Sequence, residues 1–352
     1  KIIVDDNFLS EKKNSDDTIN FFPVGSNDNS YKFNLNRLLE ISKIESRYFD
    51  STLEQVMPHI LEILNLKSSE YKYLFRPYLV SITNIYIDRS IRALHLIENK
   101  NKNDIKVVKV EQCKNVETLH SLISSISVNW QINQEIIHKI FTALGIEDVE
   151  YLNKNEYLEY PSYKKDNLYK NLMFRPTGVK SYLQNLIIKI KQFIPSFKKR
   201  VLTFGLSYDA FYLKKHNLSG PFGIINECSP LQLINTSRNE ELRINLHRKI
   251  SNILEKYINV IFHDLNLKYQ TLYIEKLSKY FSEFFIYYMP ITFFEGAKLN
   301  VENYSTLISK YKPKLIFGCG FSSYYGFFLT TACKINNVKV VGYQHGGHYG
   351  YI

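Results

Sequence analysis

The chain has 352 residues, of which 45% are hydrophobic and 22% are charged, and this balance excludes a disordered protein. Its 45 Lys and Arg residues exceed its 34 Asp and Glu residues, giving a formal net charge of +11. Such an excess suits anionic partners such as nucleotide-sugars, lipid phosphates or an acidic membrane face. Because no RNA- or DNA-binding signature is visible, nucleic acid is not an expected partner.

The cysteines favour a reducing compartment and give no metal site. Cys113, Cys228, Cys319 and Cys333 show no C-x-x-C spacing, and no Cys/His cluster has the spacing of metal ligands. No secretory signal is visible at the N-terminus. We therefore expect a cytoplasmic protein without a metal, with peripheral contact at the inner face of the cell membrane as an option.

Residues 1–199 are predicted to be a mostly helical portion with short strands. The apolar pattern predicts strands at 2–4 and 105–110, and a loop over residues 10–31. Helical spacing predicts two helices within residues 33–65, the second capped by Ser51 or Thr52, then helices over 116–127 and 131–144. Residues 150–180 have few periodic apolar positions and are predicted to be either a mobile loop over a cleft or a poorly ordered excursion.

A long apolar and aromatic segment, residues 70–96, is interrupted by Pro77 and contains the charged residues Arg76, Asp88 and Arg89. Burying these charges unpaired would be costly, so we expect Asp88 to pair with an arginine. An internal ion pair that fixes helix packing is favoured over a substrate contact.

Residues 182–197 form a basic amphipathic pattern that ends near Pro195. Such a helix can lie on a membrane or pack its apolar face on the protein core, and the second interpretation is favoured.

Residues 200–352 are predicted to be a Rossmann-like α/β portion. Apolar runs at 201–205, 314–318 and 338–343 alternate with helical stretches, which predicts neighbouring strands of one parallel sheet. The predicted helices are 240–265, 269–285, 301–312 and 324–335, the last ended by Asn336 and Asn337. Residues 315–333 carry no charge, but their glycines and serines favour strand, turn and helix over a membrane span.

The last predicted strand delivers a loop of unusual composition. Its residues are Gln344, His345, Gly346, Gly347, His348, Tyr349 and Gly350. Glycines let the backbone approach an anionic ligand with its N–H groups, and histidine titrates near neutral pH. Ligands of open α/β sheets bind outside the carboxyl ends of the strands, which is where this loop is predicted to lie.

Other predicted strand ends add polar side chains to the same candidate site. They are Ser207, Asp209, Glu295, Ser322 and Ser323. No third glycine completes a dinucleotide fingerprint, and no phosphate loop, D-x-D motif or G-x-S-x-G elbow is present. The pattern therefore favours metal-independent group transfer without a cofactor.

Residues 344–350 resemble the Q-H-G-G-x-Y-G signature of a bacterial and archaeal family of surface-polysaccharide (O-antigen-type) transferases. Residues 71–79 and 86–89 are similar to that family's aromatic-rich and D-R segment, with Arg76 and Tyr78 in place of its glycine and tryptophan. Residues 290–295 are similar to its P-x-x-x-x-E region. The resemblance spans residues 38–350 and implies a GT-B-like glycosyltransferase of two Rossmann-like halves.

The resemblance implies a nucleotide-sugar donor and a glycan or lipid-linked acceptor. It implies that this chain is the N-terminal, acceptor-side half, that the donor-binding half is absent, and that the isolated chain has little activity. His345 is then the base, oriented by Glu295 or Asp209, or alternatively it holds the donor phosphate while one of these carboxylates is the base. Ser207, Ser322 and Ser323 would contact substrate, as would the remaining loop residues, Gln344, Gly346, Gly347, His348 and Tyr349.

Two other functions remain open from the sequence. Cell-wall polyol-phosphate (glycerophospho) transferases also carry a His-Gly pair at the equivalent place in a similar fold. A non-catalytic carbohydrate- or lipid-binding module would instead use aromatic platforms, and 27 Tyr and 23 Phe residues supply the material for them.

Overall fold

The computed structural model describes a large part of the chain. The described residues are 2–5, 18–20, 35–99, 102–109, 130–147, 149–151, 201–204, 226–227, 231, 233–234, 236–266, 270–318, 321 and 324–342. Within them the protein is a mixed α/β fold, mostly helical, with small parallel sheets. The predicted helices at 116–127 and 182–197 lie outside the described residues.

The elements follow the predicted order closely. The described helices are α1 (Leu35–Ile63), α2 (Lys72–Asn99), α3 (Trp130–Ala143), α4 (Glu240–Asp264), α5 (Thr271–Tyr288), α6 (Ala297–Tyr311) and α7 (Tyr324–Ile335). The described strands are β1 (Ile2–Asp5), β2 (Thr18–Asn20), β3 (Ile105–Lys109), β4 (Val149–Tyr151), β5 (Val201–Phe204), β6 (Asn226–Glu227), β7 (Leu315–Gly318) and β8 (Lys339–Gly342).

The eight described strands form two parallel sheets with the same topology. The first sheet has the order β2-β1-β3-β4, and the second has the order β6-β5-β7-β8. Every described strand pair is parallel. The predicted neighbours β5, β7 and β8 are therefore confirmed as adjacent parallel strands.

The two sheets are joined through helices. α4 packs against α1 and α5, α2 packs against α1 and α7, and α5 packs against α2 and α3. Among the described elements of each half, two strands are followed by long helices, a third strand, a helix and a fourth strand. The described strands and helices thus recur in a similar order in both halves, and the described helices share one apolar core.

Aromatic side chains fill the contact between α2 and α5. The Tyr86 ring centroid lies 5.0 Å from that of Phe281 and 4.8 Å from that of Phe284. Its hydroxyl donates a 2.6 Å hydrogen bond to the Leu277 carbonyl oxygen. A fully buried tyrosine thus packs its ring in the core and still satisfies its polar atom.

Three local predictions need correction. Thr18–Asn20 is a strand inside the predicted loop at 10–31. α1 is continuous where a second helix was predicted to begin, because the hydroxyls of Ser51 and Thr52 both bind the Tyr48 carbonyl oxygen of the preceding turn rather than capping a new helix. α2 also runs through Pro77 without interruption.

Glu45 is a carboxyl group buried where α1 meets α2 and α4. It is 2% exposed and accepts a 3.0 Å hydrogen bond from the Tyr257 hydroxyl. Burial raises its pKa to about 8, against the lowering effects of hydrogen bonds from Tyr257 and Asn84 and of the Arg76 charge. At neutral pH Glu45 is therefore mostly protonated.

We expect this group to make the protein less stable as pH rises. Because the folded state holds the proton more tightly than the unfolded chain, its stabilisation is complete below the ordinary pKa of 4.5 and is lost as pH rises towards about 8. Between pH 5 and pH 8 the expected loss in the free energy of unfolding is about 3 kcal/mol. Urea unfolding across this range measures it.

Glu45→Gln should remove this slope, since the amide does not titrate. Glu40→Gln, on the exposed side of the same helix, is the matched control and should keep it. An unchanged slope in the Glu45→Gln protein would show that another group is responsible.

Within the described residues, no helix has the length and apolar character needed to cross a membrane. The uncharged stretch at 315–333 is divided between β7, the described residue Phe321 and α7, as the strand, turn and helix interpretation requires.

Candidate functional site

The predicted site residues other than Glu295 come after the carboxyl ends of three adjacent strands in the chain. β5, β7 and β8 end side by side, with Phe204 paired to Gly318 and Gly318 paired to Gly342. Parallel strands all leave a sheet at the same edge, so the segments that follow them begin together. We call this edge of the second sheet the carboxyl edge.

Most of the predicted site residues lie outside the described residues. They are Ser207, Asp209, Ser322, Ser323, Gln344, His345, Gly346, Gly347, His348 and Tyr349. Their side-chain positions stay predictions, while the strand ends from which their segments start are described. Of the predicted set, Glu295 is the described member.

The described residues at the carboxyl edge pack closely. The Phe321 ring centroid lies 5.6 Å from that of Phe204. A Cβ atom on Gly342 would lie 3.3 Å from the Phe321 ring, and one on Gly318 would lie 1.8 Å from the Phe204 carbonyl oxygen. Glycine at 318 is thus required by the close approach of the neighbouring strand.

The sequence predicted Glu295 at the end of a strand, and this prediction is wrong. Residues 290–296 form successive turns between α5 and α6. Phe293 of this segment packs on α7, with its ring centroid 6.3 Å from that of Phe327 and 5.2 Å from that of Phe328. α7 follows β7 in the chain, so the turns pack against a helix of the second sheet.

Glu295 is held in a buried ion pair with Arg243. Its Oε1 accepts from Arg243 Nε at 2.7 Å and its Oε2 accepts from Arg243 Nη2 at 2.8 Å. The two side chains are 2% and 5% exposed, with Arg243 the more buried. A bidentate, desolvated pair of this kind fixes the orientation of both groups.

The same carboxylate also serves the start of α4. Glu295 Oε1 accepts from the backbone N–H of Asn239 at 3.0 Å. Asn239 is the N-cap of α4, and its side chain accepts from the Leu242 N–H. A negative charge at a helix N-terminus is favourable because the first N–H groups carry partial positive charge. Both oxygens of Glu295 are therefore engaged in positioning.

Three side chains bind consecutive carbonyl groups at the end of α5. Tyr78 donates to the Phe285 oxygen at 2.5 Å, Arg243 to the Ile286 oxygen at 2.6 Å and Arg238 to the Tyr287 oxygen at 3.0 Å. The last carbonyls of a helix lack partners within it, so these bonds satisfy groups that would otherwise need water. The two arginines also place positive charge at the negative end of the helix.

This arrangement brings together two segments that are far apart in sequence. Tyr78 belongs to the aromatic segment of α2, and Glu295 closes the turns after α5, with Arg243 linking the two through the end of that helix. Sequence reasoning missed Arg243. The signal was its position three residues before Leu246 and seven before Ile250, on the buried stripe of α4.

The predicted ion pair of Asp88 is confirmed. Asp88 contacts Arg89, and its Oδ2 lies 3.0 Å from Arg92 Nη2 one helical turn later. All three residues are buried in α2. These buried ion pairs neutralise charges inside α2 where it packs on other helices. This is the structural role that the sequence favoured.

Among the described residues, no group of three or more His, Cys, Asp or Glu side chains could hold a metal ion. The expectation of a metal-independent reaction stays a prediction.

Comparisons with known proteins give one finding. A family model described as LIC12162 family transferase matches residues 30–352. Searches of curated proteins and of solved structures found no significant match.

Proposed function

Since the chain belongs to the LIC12162 family of transferases, we propose that it is a glycosyltransferase that moves a sugar from a nucleotide-sugar to a surface polysaccharide or lipid-linked acceptor. The reaction needs no metal and no cofactor in this proposal. The transfer takes place at the carboxyl edge of the second sheet, in a GT-B-like arrangement.

The observation that carries the proposal is the pair of parallel sheets with one strand order. In the first sheet, β1 is followed in sequence by β2 on one side, and β3 later pairs with β1 on its other side. β5 has β6 and β7 on its two sides in the same way. The connections therefore diverge between β1 and β3, and between β5 and β7. Such a switch point opens a crevice at the carboxyl ends of the strands. In this proposal the acceptor and the donor each use one of these two switch points, which replaces the sequence-based expectation that the chain holds the acceptor side alone and has little activity by itself.

His345 is the proposed base. It takes the proton of the acceptor hydroxyl while that oxygen forms a bond to the anomeric carbon, and the bond from this carbon to the donor phosphate breaks. The nucleoside diphosphate leaves with the electron pair of that bond. Backbone N–H groups of the loop containing Gly346 and Gly347 stabilise the departing phosphate.

Asp209 is the better candidate than Glu295 to orient His345. Both oxygens of Glu295 are already bound, to Arg243 and to the Asn239 N–H. We assign Glu295 a positioning role, in which it fixes the turns that pack against α7.

The identity of the released nucleotide tests this function. The protein is incubated with nucleotide-sugars or with CDP-glycerol, together with a lipid or glycan fraction as acceptor, and the products are separated by anion-exchange chromatography. Sugar transfer leaves a nucleoside diphosphate, whereas polyol-phosphate transfer leaves a nucleoside monophosphate. We expect release of a nucleoside diphosphate from a nucleotide-sugar. If CDP-glycerol were the one donor used, with acceptor-dependent release of CMP, the polyol-phosphate reaction would be established instead.

A further inference from the structure

The C-terminal part of the chain contains basic residues but no acidic ones. From Asn303 to Ile352 the sequence has five lysines and neither Asp nor Glu. All five lysines are described and exposed, namely Lys310, Lys312, Lys314, Lys334 and Lys339. Within this stretch the exposed charges are therefore all positive, which favours a local positive potential.

These lysines gather where the strands of the second sheet begin. Lys314 directly precedes β7, Lys339 is the first residue of β8, and the Lys339 N–H donates to the Lys314 carbonyl oxygen at 3.3 Å. Lys310 and Lys312 lie at the end of α6, which leads into β7, and Lys334 lies in the last turn of α7, which leads into β8. The amino ends of parallel strands lie opposite the carboxyl edge.

The start of α2 extends the same surface. Lys334 Nζ lies 5.3 Å from the Tyr73 ring centroid, and Lys72 Nζ lies 5.5 Å from it. Lys72 is exposed and Tyr73 is half-buried. We call Lys72 and the five lysines above the lysine edge.

The charge of the lysine edge is not neutralised by the described acids. None of its six lysines forms an ion pair with a described Asp or Glu. Elsewhere in the described residues, Lys139 pairs with Glu135 and Lys249 with Glu62. Among the described residues, these six exposed ammonium groups therefore have no carboxylate partner.

We propose that the lysine edge binds the surface of a membrane that contains anionic lipids. Ammonium groups on flexible stems suit a diffuse negative surface, since they bind as point charges and not as geometric forks. Tyr73 and Tyr311, both half-buried, are of the residue type that favours the membrane–water boundary. Nucleic acid is less well matched, because none of the six is an arginine, the side chain most used for base contacts.

The orientation has a consequence that rests on the proposed function. With the lysine edge on the lipid, the carboxyl edge faces away from it. An acceptor end that reaches this site must be separated from its lipid by sugars already added, which favours a growing glycan over a short lipid-linked acceptor.

Vesicle co-sedimentation tests the membrane contact without any measurement of transfer activity. Its failure is therefore distinct from a failure of the proposed function. The protein is mixed with vesicles of phosphatidylcholine alone, or with about one third phosphatidylglycerol, at low and high salt. The test variant is Lys310→Gln/Lys314→Gln/Lys339→Gln, and the matched control is Lys256→Gln/Lys276→Gln/Lys279→Gln, exposed lysines of α4 and α5 with the same change in net charge.

We expect the protein to bind only the vesicles that contain phosphatidylglycerol, and we expect high salt to weaken this binding. Each lysine near the surface contributes about fivefold, so the test variant should lower the partition coefficient on the order of 100-fold and the control variant only a few-fold. An equal loss in both variants, or no binding to anionic vesicles, would overturn the proposal. Tighter binding of a short duplex DNA than of the vesicles, lost in the same test variant, would assign the surface to nucleic acid.

Discussion

Replacing Arg243 with Met should lower the free energy of unfolding by about 3–5 kcal/mol. The substitution keeps an apolar stem of similar length but leaves the buried Glu295 carboxylate without its cation and the Ile286 carbonyl oxygen without its donor. Removing one partner of a buried ion pair is strongly destabilising for this reason. Urea or thermal unfolding of the variant measures the loss.

The exposed pair of Lys249 and Glu62 is the matched control. Its side chains are 31% and 64% exposed, and Lys249→Met should change stability by less than about 1 kcal/mol. The double variant Arg243→Met/Glu295→Leu should recover part of the loss, because no unpaired charge remains. If Arg243→Met cost no more than Lys249→Met, the pair would not hold the turns as described.

The local elements of the second sheet could be predicted because their signals are local. β7 and β8 are short apolar runs, and Asn337, with a φ of 54°, adopts the left-handed conformation after α7 that asparagine tolerates. These signals involve residues within a few positions of one another. They therefore do not depend on knowledge of the rest of the chain.

The first sheet was harder to predict. Its second strand, Thr18–Asn20, is three residues long inside a polar segment, too short to show an alternating pattern. The run at 290–296 is interpreted as strand-like because it is apolar, but apolar composition alone does not distinguish a strand from buried, packed turns. For segments of three to seven residues, length and apolar periodicity do not distinguish strands from turns and loops.

The contacts around Glu295 could not be predicted from sequence. Tyr78 and Phe285 are 207 positions apart, and Arg243 and Glu295 are 52 apart. Glu295 in a P-x-x-x-x-E segment suggested a catalytic carboxylate, whereas its neighbours in space give it a positioning role. The identity of a charged residue's partner decides its chemistry, and that partner is set by the tertiary fold.

His345→Ala should lower kcat on the order of 10²–10⁴-fold, the usual contribution of a general base. The residue follows β8 by three positions, at the edge where β5 and β7 also end. KM for the donor should change little, because a base acts in the transition state. If His345 instead holds the donor phosphate, KM for the donor should rise clearly.

His348→Ala is the matched control, since it removes the second histidine of the same loop. We expect a smaller effect on kcat, because His348 follows the end of β8 by six positions in the sequence, three more than His345.

The central claim, that the carboxyl edge of the second sheet is the site of transfer, is tested most directly by the steady-state rate of nucleotide release from the donor. The wild type, His345→Ala and His348→Ala proteins are compared, each shown to be folded by its thermal unfolding. The account predicts a large fall in kcat for His345→Ala with a nearly unchanged donor KM. Wild-type kinetics in a well-folded His345→Ala protein would contradict it.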